Sequence, residues 1–312
     1  MQPIFHAILQ NDLPAFLSLV EERDSSLEER NDEEHVMNET VLHMAARLGH
    51  GELISQIIDR RPSLVCSLNA EGNTPLHLAA LLGDVDMIMK MLETGLKACT
   101  VRNNNNDTPL HLACRNISME AAKLLAEKTY SVDLSELKYA VSSGSTSVAK
   151  IILERFPNLA WEEAWPVEGC SLTTLLHHAC DRGDHELTRM LLGLDQSLEN
   201  AVSTNGLSPL HIAVIRDSVV IVAEFLNKAP LSFNSCTPSK ETVFHLAARN
   251  KSMDVFVFMA EHLGSIRSQI LLQQTDKIGN TVLHTAASVA CGARVSSFLC
   301  PYPFHKPNAL LS

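Results

Sequence analysis

Fourteen histidines and eight cysteines are the residues of this 312-residue sequence whose chemistry could hold a metal ion or attack a substrate. Seven of the histidines, His43, His77, His111, His177, His211, His245 and His284, each close a tetrapeptide that begins with Thr or Ser. The sharpest ligand-like cluster is His177-His178-x-Cys180. A Cys–His nucleophile pair needs a third group to orient it and a pocket around it, and the surrounding pattern supplies neither. No phosphate loop of the form G-x-x-x-x-G-K-S/T is present. No catalytic residue, no metal site and no cofactor is therefore expected.

The elements that must position these residues are set by a repeat. Thr-Pro-Leu-His stands at 74–77 and at 108–111, with variants at 40–43, 174–177, 208–211, 242–245 and 281–284. The intervals 40→74, 74→108, 174→208 and 208→242 are all 34 residues. A period of this length marks an array of stacked supersecondary units. The interval 108→174 is 66 and hides one further unit, in which Leu137-Lys138-Tyr139-Ala140-Val141 and Gly144 align with Leu76-His77-Leu78-Ala79-Ala80 and Gly83. Phe5-His6-Ala7-Ile8 with Leu13, Phe16, Leu17 and Val20 reads as a divergent first unit. After each histidine comes a small pair, such as Ala45-Ala46, Ala79-Ala80, Ala113-Cys114 or Ala179-Cys180, then a glycine turn and a second apolar helix. Cys180 and Cys114 occupy the slot filled elsewhere by alanine, so they read as buried small residues. One histidine per stacked helix pair places neighbours about 8–10 Å apart, whereas zinc needs its nitrogens at about 2.0–2.1 Å. The seven histidines cannot share one ion.

Apolar residues make up 46% of the chain and aromatics 5%, so the core must be built from Leu, Ala, Ile and Val. The formal net charge of −11 argues against nucleic acid, whose binding draws on clustered Lys and Arg. The acidic run from Glu21 to Glu34 reads as a solvated loop. Residues 1–11 lack the basic and apolar regions of a secretory signal, and no stretch approaches the roughly 20 apolar residues of a spanning helix. Eight scattered cysteines suit a reducing compartment. A cytoplasmic, soluble chain is expected.

The motif, period, small pair and turn resemble the ankyrin-repeat family, over roughly residues 3–290. The resemblance implies an all-α ankyrin-repeat solenoid of about nine helix-turn-helix units with short hairpin loops, and a structural, hydrogen-bonding role for the motif histidine at the start of each first helix. Expected segments are a divergent repeat with an acidic loop at 1–39, repeats 2–4 at 40–133, a degenerate repeat and longer connection at 134–173, repeats 6–9 at 174–291 with the last incomplete, and a tail at 292–312. Trp161 and Trp165 are expected to pack the longer connection. Arg61-Pro62-Ser63-Leu64-Val65 and Gly279-Asn280-Thr281-Val282-Leu283-His284 further resemble plant ankyrin membrane proteins of the accelerated-cell-death type. That resemblance implies a role in defence or cell-death signalling, and plasma-membrane association through a C-terminal membrane domain. Residues 300–307 lack that domain's features, which implies a truncated or spliced form.

In this family the loop tips and the exposed ends of the first helices line a concave partner-binding face. By resemblance the tips are Glu39, Asn73, Asp107, Leu207, Glu241 and Asn280. The helix ends are Arg47-Leu48, Leu81-Leu82, Arg115-Asn116, Asp181-Arg182, Ile215-Arg216 and Arg249-Asn250. Five of these six pairs contain arginine, which reads either as complementing helix C-termini or as a basic strip for an acidic segment of a partner protein. The final unit is expected to fray, with disorder after Cys300, and the array to behave as two blocks joined near Tyr130–Trp165.

Overall fold

The computed structural model describes residues 3–22, 27, 30–31 and 38–289. The acidic run beyond Glu22, the final unit after residue 289 and the tail lie outside them, apart from the isolated positions 27 and 30–31. The first helices that follow Thr40, Thr74, Thr108, Thr174, Ser208, Thr242 and Thr281 start for the same local reason. A Thr or Ser with extended backbone, for example Thr74 at φ −86° and ψ 164°, caps the helix, and its hydroxyl accepts the backbone N–H of the motif histidine. Proline occupies the first turn at Pro75, Pro109 and Pro209, where its missing N–H is not needed. Second helices at Val85 and His185 are capped instead by Asp84 and Asp184, whose carboxylates accept from Met87 and Leu187 at 3.0 Å.

The chain divides into two compact units, Met1–Leu159 and Ala160–Ser312. The first holds five helix pairs: α1 (Pro3–Leu9) with α2 (Leu13–Glu22), α3 (Val41–Leu48) with α4 (Gly51–Arg60), α5 (Pro75–Leu82) with α6 (Val85–Thr94), α7 (Pro109–Arg115) with α8 (Met119–Lys128), and α9 (Leu134–Ser142) with α10 (Thr146–Arg155). First helices α1, α3, α5, α7 and α9 pack in series, and α4, α6, α8 and α10 form a second layer behind them. The second unit holds α11 (Leu175–Arg182) with α12 (His185–Leu194), α13 (Pro209–Ile215) with α14 (Val219–Lys228), and α15 (Val243–Asn250) with α16 (Met253–His262), followed by α17 (Ser265–Gln273) and α18 (Val282–Ser288). There α11, α13, α15 and α18 pack in series, as do α12, α14 and α16. The only ladder with two residues per strand among the described residues pairs β1 (Arg30–Asn31) with β2 (Glu39–Thr40).

The small pairs explain the stacking. Ala45, Ala46, Ala79, Ala80, Ala113, Ala179, Cys180, Ala213, Ala247 and Ala248 are fully buried, so first helices approach with no larger side chain between them. Leu53, Ile54, Ile57 and Ile58 show how a second helix closes the layer, all buried on one face of α4. Short 3-10 turns, Pro62–Cys66 and Leu96–Thr100 in the first unit and Gln196–Asn200 and Pro230–Asn234 in the second, carry the chain from second helix to finger loop.

Two elements differ from the sequence reading. The disguised repeat starts at Asp133, two residues before the position aligned with Thr74, because Asp133 and Glu136 replace Thr and His as a capping box. The Asp133 carboxylate accepts from Ser135 and Glu136, while Glu136 accepts the Asp133 N–H at 2.7 Å. The interval 242→281 is 39 residues, and α17 fills the excess where the sequence showed no helix. In the longer connection Trp165 is buried, donates its backbone N–H to Thr173, and lies with its ring 5.4 Å from that of His178. Trp161 is partly exposed and its indole N–H donates to Asp195 at 2.9 Å. No helix among the described residues is long and apolar enough to cross a membrane.

Candidate partner-binding face

The histidines come first, because their geometry decides whether the array holds chemistry. In every motif Nδ1 accepts the backbone N–H of the capping Thr or Ser, at 3.0 Å for Thr74 and Ser208 and at 3.2–3.3 Å for the others. This fixes the proton on Nε2, which donates forward into the next repeat. His43 reaches the carbonyl of Asn73 at 2.9 Å, His77 that of Asp107 at 3.1 Å, His177 that of Leu207 at 3.0 Å and His245 that of Asn280 at 3.1 Å. His211 reaches the Ser235 carbonyl, and His111 the Ser135 hydroxyl. Burial pulls His43, His77, His111 and His211 down to about 4 and lowers His177 as well, so these rings are neutral fasteners. His284 makes the same capping contact on an exposed ring.

The Cys–His cluster is likewise taken up internally. His178 Nδ1 donates to the Pro166 carbonyl at 2.8 Å, and Cys180 is fully buried, which pushes its thiol well up. Cys114 is pushed up to about 12 for the same reason. Neither is a thiolate nucleophile near neutral pH. No group of three or more His, Cys, Asp or Glu is placed to hold a metal ion among the described residues.

The residues assigned to the binding face separate into two populations. Glu39, Asn73, Asp107 and Glu241, expected at exposed tips, are buried at 4–7% exposure, and Leu207 is half-buried. Their carbonyls or side chains are committed to the repeat joints and to the arginines, and the exposed tips lie one to three residues earlier, at Glu71, Asn104 to Asn106, Thr204 and Lys240. The arginine strip also needs correction. Arg47 pairs with Glu39, Arg115 with Asp107 at 2.9 Å, and Arg249 with Glu241 at 2.5 Å. Arg216 pairs with Asp181 at 2.6 Å and Glu168 at 3.1 Å. Arg115 also donates to the Tyr139 hydroxyl at 3.0 Å and lies over that ring. Four of the five arginines are thus balanced by the chain's own carboxylates; Arg182 is exposed, with no ion pair among the described residues.

In the first unit the exposed set is Arg47, Leu48, Leu81, Leu82, Arg115 and Asn116. Asn116 donates to the Leu81 carbonyl, and a Cβ on Gly83 would meet Ser118, so the C-terminal end of α5 abuts the turn after α7. That turn carries Ile117, which sequence reading missed. It is 73% exposed with φ 57°, at the position held by Gly49, Gly83 and Gly183 in other repeats. A left-handed backbone costs a residue other than glycine roughly 1–2 kcal/mol. In the second unit Asp181 and Ile215 are half-buried, while Arg182, Arg216, Arg249 and Asn250 are exposed. Asn250 folds back on the Leu246 carbonyl at 2.9 Å.

A search of curated proteins returns no match. The family model described as Ankyrin repeats (3 copies) matches residues 4–100, 83–160, 137–234 and 176–269. These overlapping matches run through both units and follow the capping boxes, histidine joints and paired helix layers. A chain matched over so much of its length, and folded as the match requires, belongs to the ankyrin-repeat family.

Proposed function

We propose that the chain is a non-catalytic scaffold that binds a partner protein through the exposed ends of its first helices. Ankyrin repeats are in general protein-interaction modules, and one observation supports this site for the chain. The capping, histidine and small-pair positions are nearly uniform from repeat to repeat, whereas the exposed end positions change freely, from Arg47-Leu48 to Leu81-Leu82 to Arg115-Asn116. Folding constrains the first set and not the second.

An acidic partner segment has weaker support, since only Arg182 of the five arginines offers an unbalanced charge. A role in plant defence or cell-death signalling is the reading carried by the resemblance of Arg61–Val65 and Gly279–His284. Plasma-membrane association belongs to that same reading and has no support from the described helices.

Photo-crosslinking tests the scaffold. A benzoylphenylalanine in place of Leu82 should capture partners from a cell extract that the same probe at Met89, exposed on α6, does not. Equal capture from both positions would sink the assignment of the face.

A further inference from the structure

Seven first helices carry the motif histidine, and in six of them the surface that faces the next repeat is filled. The histidines at 43, 77, 111, 177, 211 and 245 are buried and donate forward. The apolar residue just before each histidine and the residue three positions after it are buried with it, as Leu76 and Ala80 are around His77. Helix α18 repeats this surface in sequence and leaves it uncovered. Leu283 is half-buried, His284 and Ala287 are exposed, and Nε2 of His284 meets no acceptor among the described residues.

The finger loop that leads into α18 is half-filled in the same way. In three joints a loop-tip N–H donates back to a carbonyl of the preceding loop: Asn104 to Glu71 at 3.0 Å, Thr204 to Ser171 at 3.1 Å and Lys277 to Ser239 at 2.8 Å. Ile278 stands three residues before its capping Thr, as Glu71, Ser171 and Ser239 stand before theirs. Its carbonyl receives no such bond among the described residues, and its side chain is 82% exposed. A terminal repeat that faces water needs a polar outer side. Here the exposed set is the one that other repeats bury.

The occupant is specified by the joints inside the molecule, which show what meets each of these groups. It is a first helix with a finger loop before it, bringing a tip N–H to the Ile278 carbonyl and a carbonyl or hydroxyl to Nε2 of His284. Residues 290–312 hold neither a Thr/Ser-x-x-His tetrapeptide nor an Asp-x-x-Glu box like that at 133–136, so they encode no further unit of this kind. We propose that Ile278, Leu283, His284 and Ala287 dock the leading repeat of a second ankyrin-type protein, which continues the array across two polypeptides. This surface is separate from the first-helix ends assigned above, and the proposal does not rest on them.

Fluorescence anisotropy with the full chain tests it, using a labelled synthetic array of consensus ankyrin repeats whose leading repeat has no cap. The same array with a polar N-terminal capping repeat is the control. The uncapped array should bind, and the capped one should bind at least tenfold more weakly. Ala287→Arg, which fills the space where the helices meet, and His284→Ala should each weaken binding at least tenfold with the helical circular dichroism signal level. Leu82→Ser, on the other face, should leave it unchanged. Equal binding of the two arrays, or unchanged affinity in Ala287→Arg, would overturn the proposal. Diethyl pyrocarbonate should modify His284 but not His245 in the chain alone; an unreactive His284 would mean that the chain's own residues cover the face and would refute a second protein there. Sedimentation showing self-association that Ala287→Arg abolishes would likewise refute it, by giving the face to a second copy.

Discussion

At the scale of single residues, the arginines show how much a repeat can hide in plain view. Where the residue before the capping Thr is acidic, as in Glu39, Asp107 and Glu241, the residue eight positions on is arginine, as in Arg47, Arg115 and Arg249. Where that residue is Asn73 or Leu207, the partner position holds Leu81 or Ile215. The pairing is legible in the sequence once repeats are compared column by column; reading the arginines alone left helix-end complementation and a basic strip as the two alternatives, neither of which names these carboxylates. It predicts the outcome of a double-mutant cycle. Arg115→Leu strands the buried Asp107 carboxylate and should cost about 1–3 kcal/mol, whereas Arg182→Ala should stay within about 0.5 kcal/mol. The double variant Asp107→Asn, Arg115→Leu, which copies Asn73 and Leu81, should lie nearer the wild type than Arg115→Leu alone. Additive losses in urea titrations would show that the two side chains do not act as a pair.

At the scale of the element, helix starts were legible wherever Thr-x-x-His survived, because one local bond pattern specifies them. The start of α9 was displaced because Asp133 and Glu136 achieve the same capping with different chemistry. Asp133 also pairs with Arg102 at 2.5 Å, and its several hydrogen bonds outweigh partial burial and hold its carboxyl below the usual range. Asp133→Ala should destabilise the first unit by about 1–2 kcal/mol, the upper range for a lost N-cap. Asp133→Ser should recover most of that, since a hydroxyl can cap but cannot pair with Arg102. A loss confined to Arg102, with the α9 amides still protected from hydrogen exchange, would contradict the capping role. Helix α17 was not legible at all. Its sequence, SIRSQILLQ, has no motif relation to the other repeats, and only the 39-residue interval hinted at extra chain.

At the scale of the whole molecule, the neutral histidines add up to an acid sensitivity. His43, His77 and His111 in the first unit and His211 in the second sit near 4, against about 6.5 for an exposed ring. The unfolded chain therefore binds more protons between those values, and stability falls as pH drops from about 6.5 toward 4. By pH 5 each such histidine should have removed about 2 kcal/mol. Glu136 and Glu199, raised by burial, act in the opposite sense: folded protein takes up their protons first, which offsets part of the loss at low pH. Urea midpoints followed by circular dichroism should fall clearly between pH 7.5 and 5.0. Midpoints that do not move would mean that the rings are protonated in the fold and that the Nδ1 contacts are misassigned.

The forward reach of each histidine has a consequence for how such a chain can change over generations. Nε2 bonds to a main-chain carbonyl in five of the joints, and in four of them that carbonyl belongs to the residue just before the next cap, Asn73, Asp107, Leu207 and Asn280. A carbonyl is present whatever side chain the residue carries, so the fastening is blind to the identity of the neighbour. Duplication, loss or exchange of a repeat then leaves the joints intact, and a cassette copied from one place can seat in another without prior adaptation. The histidine joint itself places no demand on the side chains at those positions, and Asn, Asp and Leu all occupy that one structural slot.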